Sequence, residues 1–96
     1  MNNKIEQIYR ILVENGFRVT TDTRKIAPGD VFFALKGENF DGNDFVPSAL
    51  QAGAAGVVTD DPHRYADTEQ VIVVEDVLTA LQQTATLHRM KMGIPV

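Results

Sequence analysis

The chain has 96 residues, 44% of them hydrophobic, no cysteine and a formal net charge of −4. That length suits one small domain, and the absence of cysteine excludes a disulfide framework and a thiolate metal site. Basic residues are scattered, with only Arg24-Lys25 and Arg89 to Lys91 in close groups. This argues against a nucleic-acid partner, which needs clustered Lys and Arg to neutralise phosphates. An anionic ligand must instead be held by one or two local cations and backbone N–H groups. No apolar run approaches the ~18 residues of a membrane span. Met1-Asn2-Asn3-Lys4 leads into an amphipathic segment rather than a signal core, so the expectation is a cytoplasmic protein with no membrane partner.

In chain order, Ile5, Ile8, Tyr9, Leu12 and Val13 recur at helical spacing and predict an amphipathic helix over 3–15, ended by Asn15-Gly16. Phe17 to Thr21 alternates apolar and polar and reads as a strand. Pro28-Gly29-Asp30 is a turn, and Val31 to Leu35 is an apolar run that predicts a buried strand over 30–35. Lys36-Gly37 and Asp41-Gly42 enclose a loop that is polar except for Phe40. Asn43 or Asp44 can cap a second helix running to about Ala52, with Pro47 in its first turn and Gly53 as its stop. Ala55 to Thr59 predicts a strand, Asp60-Asp61-Pro62 a turn, 62–69 an irregular crossing, and Val71 to Val74 a further strand. Asp76 caps a long helix to about Met92, with Val77, Leu78, Leu81, Ala85 and Met92 as its apolar positions and Gly93 as its end. Ile94-Pro95-Val96 reads as the opening of another strand, as at a domain boundary. Helices alternating with short apolar strands predict an α/β fold: a small mixed sheet with helices packed on it. The mixed sense is expected because the link between 17–21 and 30–35 is short enough for either direction.

A buried strand flanked by two polar loops is a common way to present backbone N–H groups to a small ligand; a core strand with two surface turns has the same pattern. Asp41-Gly42-Asn43-Asp44 lacks the alternate ligands and closing glutamate of a calcium loop and fits a turn with a helix cap. His63 and His88 have no metal-ligand spacing. Asp60-Asp61 stands after a late strand only, unlike the acidic pockets of response-regulator receivers.

The ordered set Asp22-Thr23-Arg24, Pro28-Gly29-Asp30, Phe32-Phe33-Ala34-Leu35-Lys36-Gly37, Asp41-Gly42-Asn43-Asp44-Phe45, Ala49-Leu50 and Gly53-Ala54 resembles the N-terminal domain of the Mur ligases, from about Ile5 to the last residue. Among them it is most similar to the members that add D-alanyl-D-alanine to UDP-N-acetylmuramoyl tripeptide. The resemblance implies that residues 1–96 form the UDP-substrate-binding domain, that the ATP-binding central domain and the C-terminal domain lie outside them, and that the remaining domains act in cis. It implies ATP and magnesium for the complete enzyme and no cofactor, metal site or catalytic residue in this stretch. No G-x-x-x-x-G-K-[ST] phosphate loop occurs in the sequence.

The same resemblance implies that Thr21, Thr23, Arg24, Lys36, Gly37, Glu38, Asn39 and Phe40 meet the UDP part of the substrate. Thr23 stands where the family usually carries serine and keeps its hydroxyl. Arg24 has the fork geometry for a phosphate, Gly37 permits close backbone approach, and Phe40 can cover a uracil face. Each has a structural alternative: Asp22 capping a turn, Arg24 in an ion pair, Phe40 anchoring its loop in the core. Two other readings stay open: the same domain of the diaminopimelate- or lysine-adding ligase, and a stand-alone interaction domain that binds no nucleotide.

Overall fold

The computed structural model describes residues 3–22, 24–38 and 40–93. The element order is α1 (Asn3–Glu14), β1 (Val19–Thr20), β2 (Val31–Phe33), a 3-10 turn (Gly42–Phe45), α2 (Val46–Gln51), β3 (Gly56–Thr59), β4 (Val71–Val73) and α3 (Val77–Met92). The four strands form one sheet in the order β1-β2-β3-β4. The expected strand opening at Ile94-Pro95-Val96 lies outside the described residues.

Every strand pairing is parallel, with Val19 opposite Val31, Phe32 opposite Val57 and Val58 opposite Ile72. The α/β expectation holds, but the sheet is parallel throughout rather than mixed. The shortness of β1 makes this possible. A two-residue strand spans only ~7 Å at about 3.3 Å per residue, so the ten-residue link 21–30 can return to the starting edge without a helix. That link packs Ile26 against the buried cluster that includes Phe32, Ala34 and Val57, where a crossover helix would otherwise lie.

Strand alternation sorts the apolar side chains onto two faces. Phe32, Ala34 and Val57 face Val46 and Ala49 near α2, with Ile26 and Tyr65 from the irregular links on the same side. Val31, Phe33, Val58 and Ile72 face Ile5, Ile8 and Leu12 of α1 and Val77, Ala80 and Leu87 of α3. All three crossovers therefore lie on one face of a sequentially ordered sheet, which gives them one hand. The helices before β1 and after β4 cover the other face.

Both long helices are rotated from the faces read in the sequence. In α1 the buried stripe is Ile5, Ile8, Ile11 and Leu12, while Val13 is 51% exposed. In α3 it is Val77, Ala80, Thr84 and Leu87, while Leu78 and Met92 are exposed. A threonine can sit in that stripe because its Oγ1 donates to the Ala80 carbonyl at 2.7 Å, so no buried donor is left unpaired.

Strand β1 begins late. After α1, Gly16 and Phe17 both adopt left-handed backbone, with φ of 76° and 61°, so Phe17 belongs to the helix end rather than to the strand. The Phe17 ring is held 4.4 Å from the His88 ring and 5.7 Å from Tyr9. His88 Nδ1 lies 3.2 Å from the Tyr9 hydroxyl, which makes His88 part of the α1–α3 packing.

Candidate functional site

In an all-parallel sheet the carboxyl ends of the strands share one edge, where open α/β sheets hold their ligands. Four loops leave that edge here: Thr21 to Arg24 after β1, Leu35 to Phe40 after β2, Asp60-Asp61 after β3, and Glu75-Asp76 after β4. Because β1 pairs with β2, the two loops singled out in the sequence emerge side by side.

In the first loop Thr21 is exposed, and Thr20 Oγ1 accepts from the Asp22 backbone N–H at 3.2 Å. Asp22 Oδ1 accepts from the Arg24 backbone N–H at 2.9 Å and from Arg24 Nε at 3.3 Å. Those bonds, the backbone one first, hold the Asp22 carboxyl below the usual carboxylate range. The turn cap and the ion pair named as structural alternatives are both present, with the Arg24 side chain 85% exposed. Thr23 and Asn39 lie outside the described residues.

The second loop is a tight hairpin. Lys36 and Asp41 form an antiparallel bridge, and the Gly37 N–H donates to the Phe40 carbonyl at 2.9 Å. The Phe40 ring lies across Gly37, where an added Cβ would meet it at 2.5 Å. Phe40 is 53% exposed, so it does not anchor the loop in the core. Glu38 is exposed. Gly42 closes the hairpin by donating to the Leu35 carbonyl at 2.8 Å, and a Cβ there would stand 2.6 Å from that oxygen.

Residues outside the candidate site set link this hairpin to β3, several of them read in the sequence only as turn or cap residues. Asp41 caps the 3-10 turn by accepting from the Asn43 N–H at 2.9 Å, the role expected of Asn43 or Asp44. Asn43 is fully buried: its Oδ1 accepts from Thr59 Oγ1 at 2.5 Å and its Nδ2 donates to Asp60 Oδ1 at 2.7 Å. The same Asp60 oxygen lies 3.4 Å from Lys36 Nζ. Arg64 reaches three carboxylates, Asp61 at 2.5 Å, Asp44 at 2.7 Å and Asp41 at 3.6 Å. This raises the guanidinium pKa further and, through the Arg64 side-chain bond first, lowers that of Asp61. No local pattern announces these contacts, since Asn43–Asp60 and Arg64–Asp44 cross 17 and 20 positions.

A groove of about 850 Å³ lies farther along the same edge, between the N-terminal ends of α1 and α3, lined by Lys4, Ile5, Asp60, Val74, Thr79 and Gln83 among others. None of the sequence-chosen site residues among the described ones lines it. It meets their hairpin only at Asp60, the partner of Lys36. Among the described residues no group of three or more His, Asp or Glu is placed to hold a metal ion. Nor, among the described residues, is any helix long and apolar enough to cross a membrane.

An open parallel sheet whose carboxyl edge carries two adjoining polar loops, a half-exposed ring and a lysine defines a small parallel α/β module. The model of the Mur ligase family, catalytic domain, matches residues 4–89, and the chain belongs to the Mur ligase family. It is 47% identical over 79 residues to the UDP-N-acetylmuramoyl-tripeptide--D-alanyl-D-alanine ligase of Synechocystis sp., covering 81% of this chain and 17% of that protein. It is 39% identical over 83 residues to the UDP-N-acetylmuramoyl-L-alanyl-D-glutamate--2,6-diaminopimelate ligase of Rickettsia typhi, covering 86% of this chain and 16% of that protein. Among solved structures, MurF from Acinetobacter baumannii superposes with a TM-score of 0.64 at 36% identity, over 77% of this chain and 16% of that one. The chain thus spans about one sixth of the length of these relatives.

Proposed function

We propose that this chain is the N-terminal substrate-binding domain of an ATP-dependent, cytoplasmic ligase that adds D-alanyl-D-alanine to UDP-N-acetylmuramoyl tripeptide, and that it holds the UDP end. The observation that carries this reading is the hairpin after β2, where a half-exposed Phe40 ring lies over Gly37 in the same short loop that begins at Lys36. An exposed aromatic face and a lysine carried by one hairpin suit a base followed by phosphates. Thr21 and Arg24 on one side, and Gly37 and Glu38 on the other, supply polar contacts, and the sequence offers Thr23 and Asn39 as further ones. Binding the remote end lets its energy position the distant reacting carboxylate.

ATP and magnesium belong to the remaining domains of this proposal. The sequence has no G-x-x-x-x-G-K-[ST] phosphate loop, and no step is routed through either cofactor. The 39% identity to the Rickettsia typhi protein supports a second reading, the corresponding domain of a diaminopimelate-adding ligase.

Titration of the 15N-labelled chain with UDP-N-acetylmuramoyl tripeptide tests the proposal. Amide shifts should concentrate at 20–24 and 35–42. Phe40→Ala should keep the fold and weaken binding about fivefold or more, since base–aromatic stacking contributes about 1–3 kcal/mol. Shifts confined to the groove between α1 and α3, or none at all, would overturn it. With ATP, a protein extended to the relatives' length should ligate D-alanyl-D-alanine, and the 96-residue chain should not. Ligation of diaminopimelate instead would favour the second reading.

A further inference from the structure

We infer that Asn43 is a positioning residue for Lys36, acting through Asp60, an inference that rests on the nucleotide-binding reading above. An asparagine that only starts a helical turn caps it from the surface, and here Asp41 does the capping. Asn43 instead has no exposed surface, and both ends of its amide are used on another element. Its oxygen accepts from Thr59, itself fully buried on β3, and its nitrogen donates to Asp60. Its backbone carbonyl accepts from the Tyr65 hydroxyl at 2.6 Å. A buried amide with every group paired is rigid, because losing one partner leaves a desolvated polar atom.

That rigidity ends on a single oxygen. Asp60 Oδ1 receives Asn43 Nδ2 at 2.7 Å and stands 3.4 Å from Lys36 Nζ. The Asp60 side chain is 17% exposed, whereas that of Lys36 is 54% exposed. A lysine on a flexible stem has many rotamers; a fixed carboxylate selects those that keep the ammonium over the carboxyl ends of β2 and β3. Asn43 therefore sets where a phosphate meets positive charge, without touching the ligand.

The test compares UDP with uridine, which differ in the phosphates Lys36 would meet. The wild-type chain should bind UDP more tightly than uridine, and Lys36→Met should shrink that preference about three- to tenfold, the scale of a partly exposed charged hydrogen bond. Asn43→Ala should shrink it by the same factor and leave the uridine affinity unchanged. The double variant should lose nothing more. Thr59→Val removes only the hydroxyl that holds the Asn43 amide and serves if Asn43→Ala does not fold. In the unliganded protein, 13C relaxation should show the Lys36 side chain ordered in wild type and mobile in these variants. A folded Asn43 or Thr59 variant with an unchanged UDP preference and an ordered Lys36 overturns the inference. If wild type binds neither compound, the nucleotide reading fails, and Lys36 relaxation alone decides whether Asn43 positions it.

Discussion

Two glycines in one hairpin meet different neighbours. At Gly42 a methyl group would press on backbone, 2.6 Å from the Leu35 carbonyl oxygen and 2.9 Å from Ala34 Cα. Backbone just past the end of β2, tied to β3 by the Ala34 N–H to Val58 carbonyl bond of 2.9 Å, moves aside only at a cost, so Gly42→Ala should cost about 1–3 kcal/mol, read by urea unfolding. At Gly37 the obstacle is the Phe40 ring, the mobile end of an exposed side chain. Gly37→Ala should stay within about 1 kcal/mol of wild type, yet displace the ring and weaken UDP binding as Phe40→Ala does. Equal destabilisation by both substitutions would show that the hairpin is a rigid structural turn. The Asp-Gly and Lys-Gly pairs were legible as turns in the sequence. Which glycine faces backbone and which faces a ring depends on the partner brought beside it.

The last helix shows how an element joins a local signal to a tertiary one. Asp76 caps α3, its Oδ1 accepting from the Leu78 N–H at 3.1 Å and its Oδ2 from Thr79 Oγ1 at 2.9 Å. Gly93 closes the helix in left-handed backbone with φ of 72°. Both ends are readable because capping is a property of the neighbouring residues. Asp76→Ala should therefore lower stability by about 1 kcal/mol in thermal or urea unfolding, while Asp76→Ser should recover most of it. The buried face was not readable in the same way. Leu78 and Met92 are more apolar than Thr84, but α3 packs against α1 and β2 on one side only, and that contact selects Val77, Ala80, Thr84 and Leu87.

Across the molecule, three carboxylates are held below their usual value of 3.8: Asp22 by Arg24, Asp61 by Arg64, and Asp67 by the Val73 N–H and then by Lys4. Depressed folded values mean that the folded state binds fewer protons than the unfolded one near pH 4. The stability from these groups is therefore fully present above the ordinary carboxylate value and is lost as pH falls through the lower folded values. Melting temperature should be flat from neutral pH down to about pH 5 and fall below that. Asp67→Asn keeps an acceptor for the Val73 N–H but removes the titration, so its melting curve should depend less on acid pH than wild type. An acid profile unchanged by Asp67→Asn would remove Asp67 from this account. Asp67 also protects an edge: with Thr68 and the Lys4 ammonium it occupies polar backbone groups of β4 that would otherwise pair with another chain.

The amino-acid order alone determined the kind and order of the helices and strands between 3 and 93, the α/β layering, the ends of α3 and the family resemblance, because each rests on neighbours in sequence or on an ordered set of short motifs. Parallel sense, the rotation of α1 and α3, and the company kept by Lys36 came only with the folded chain. A two-residue β1 makes either direction reachable, and the choice falls to the way the 21–30 link packs Ile26 on the sheet. The Thr59–Asn43–Asp60–Lys36 chain joins the two sides of the β2–β3 crossover, and Arg64 gathers aspartates from before and after β3. Such contacts form only after parallel strands bring the ends of β2 and β3 to one edge, where long side chains and buried amides meet partners that no local spacing specifies.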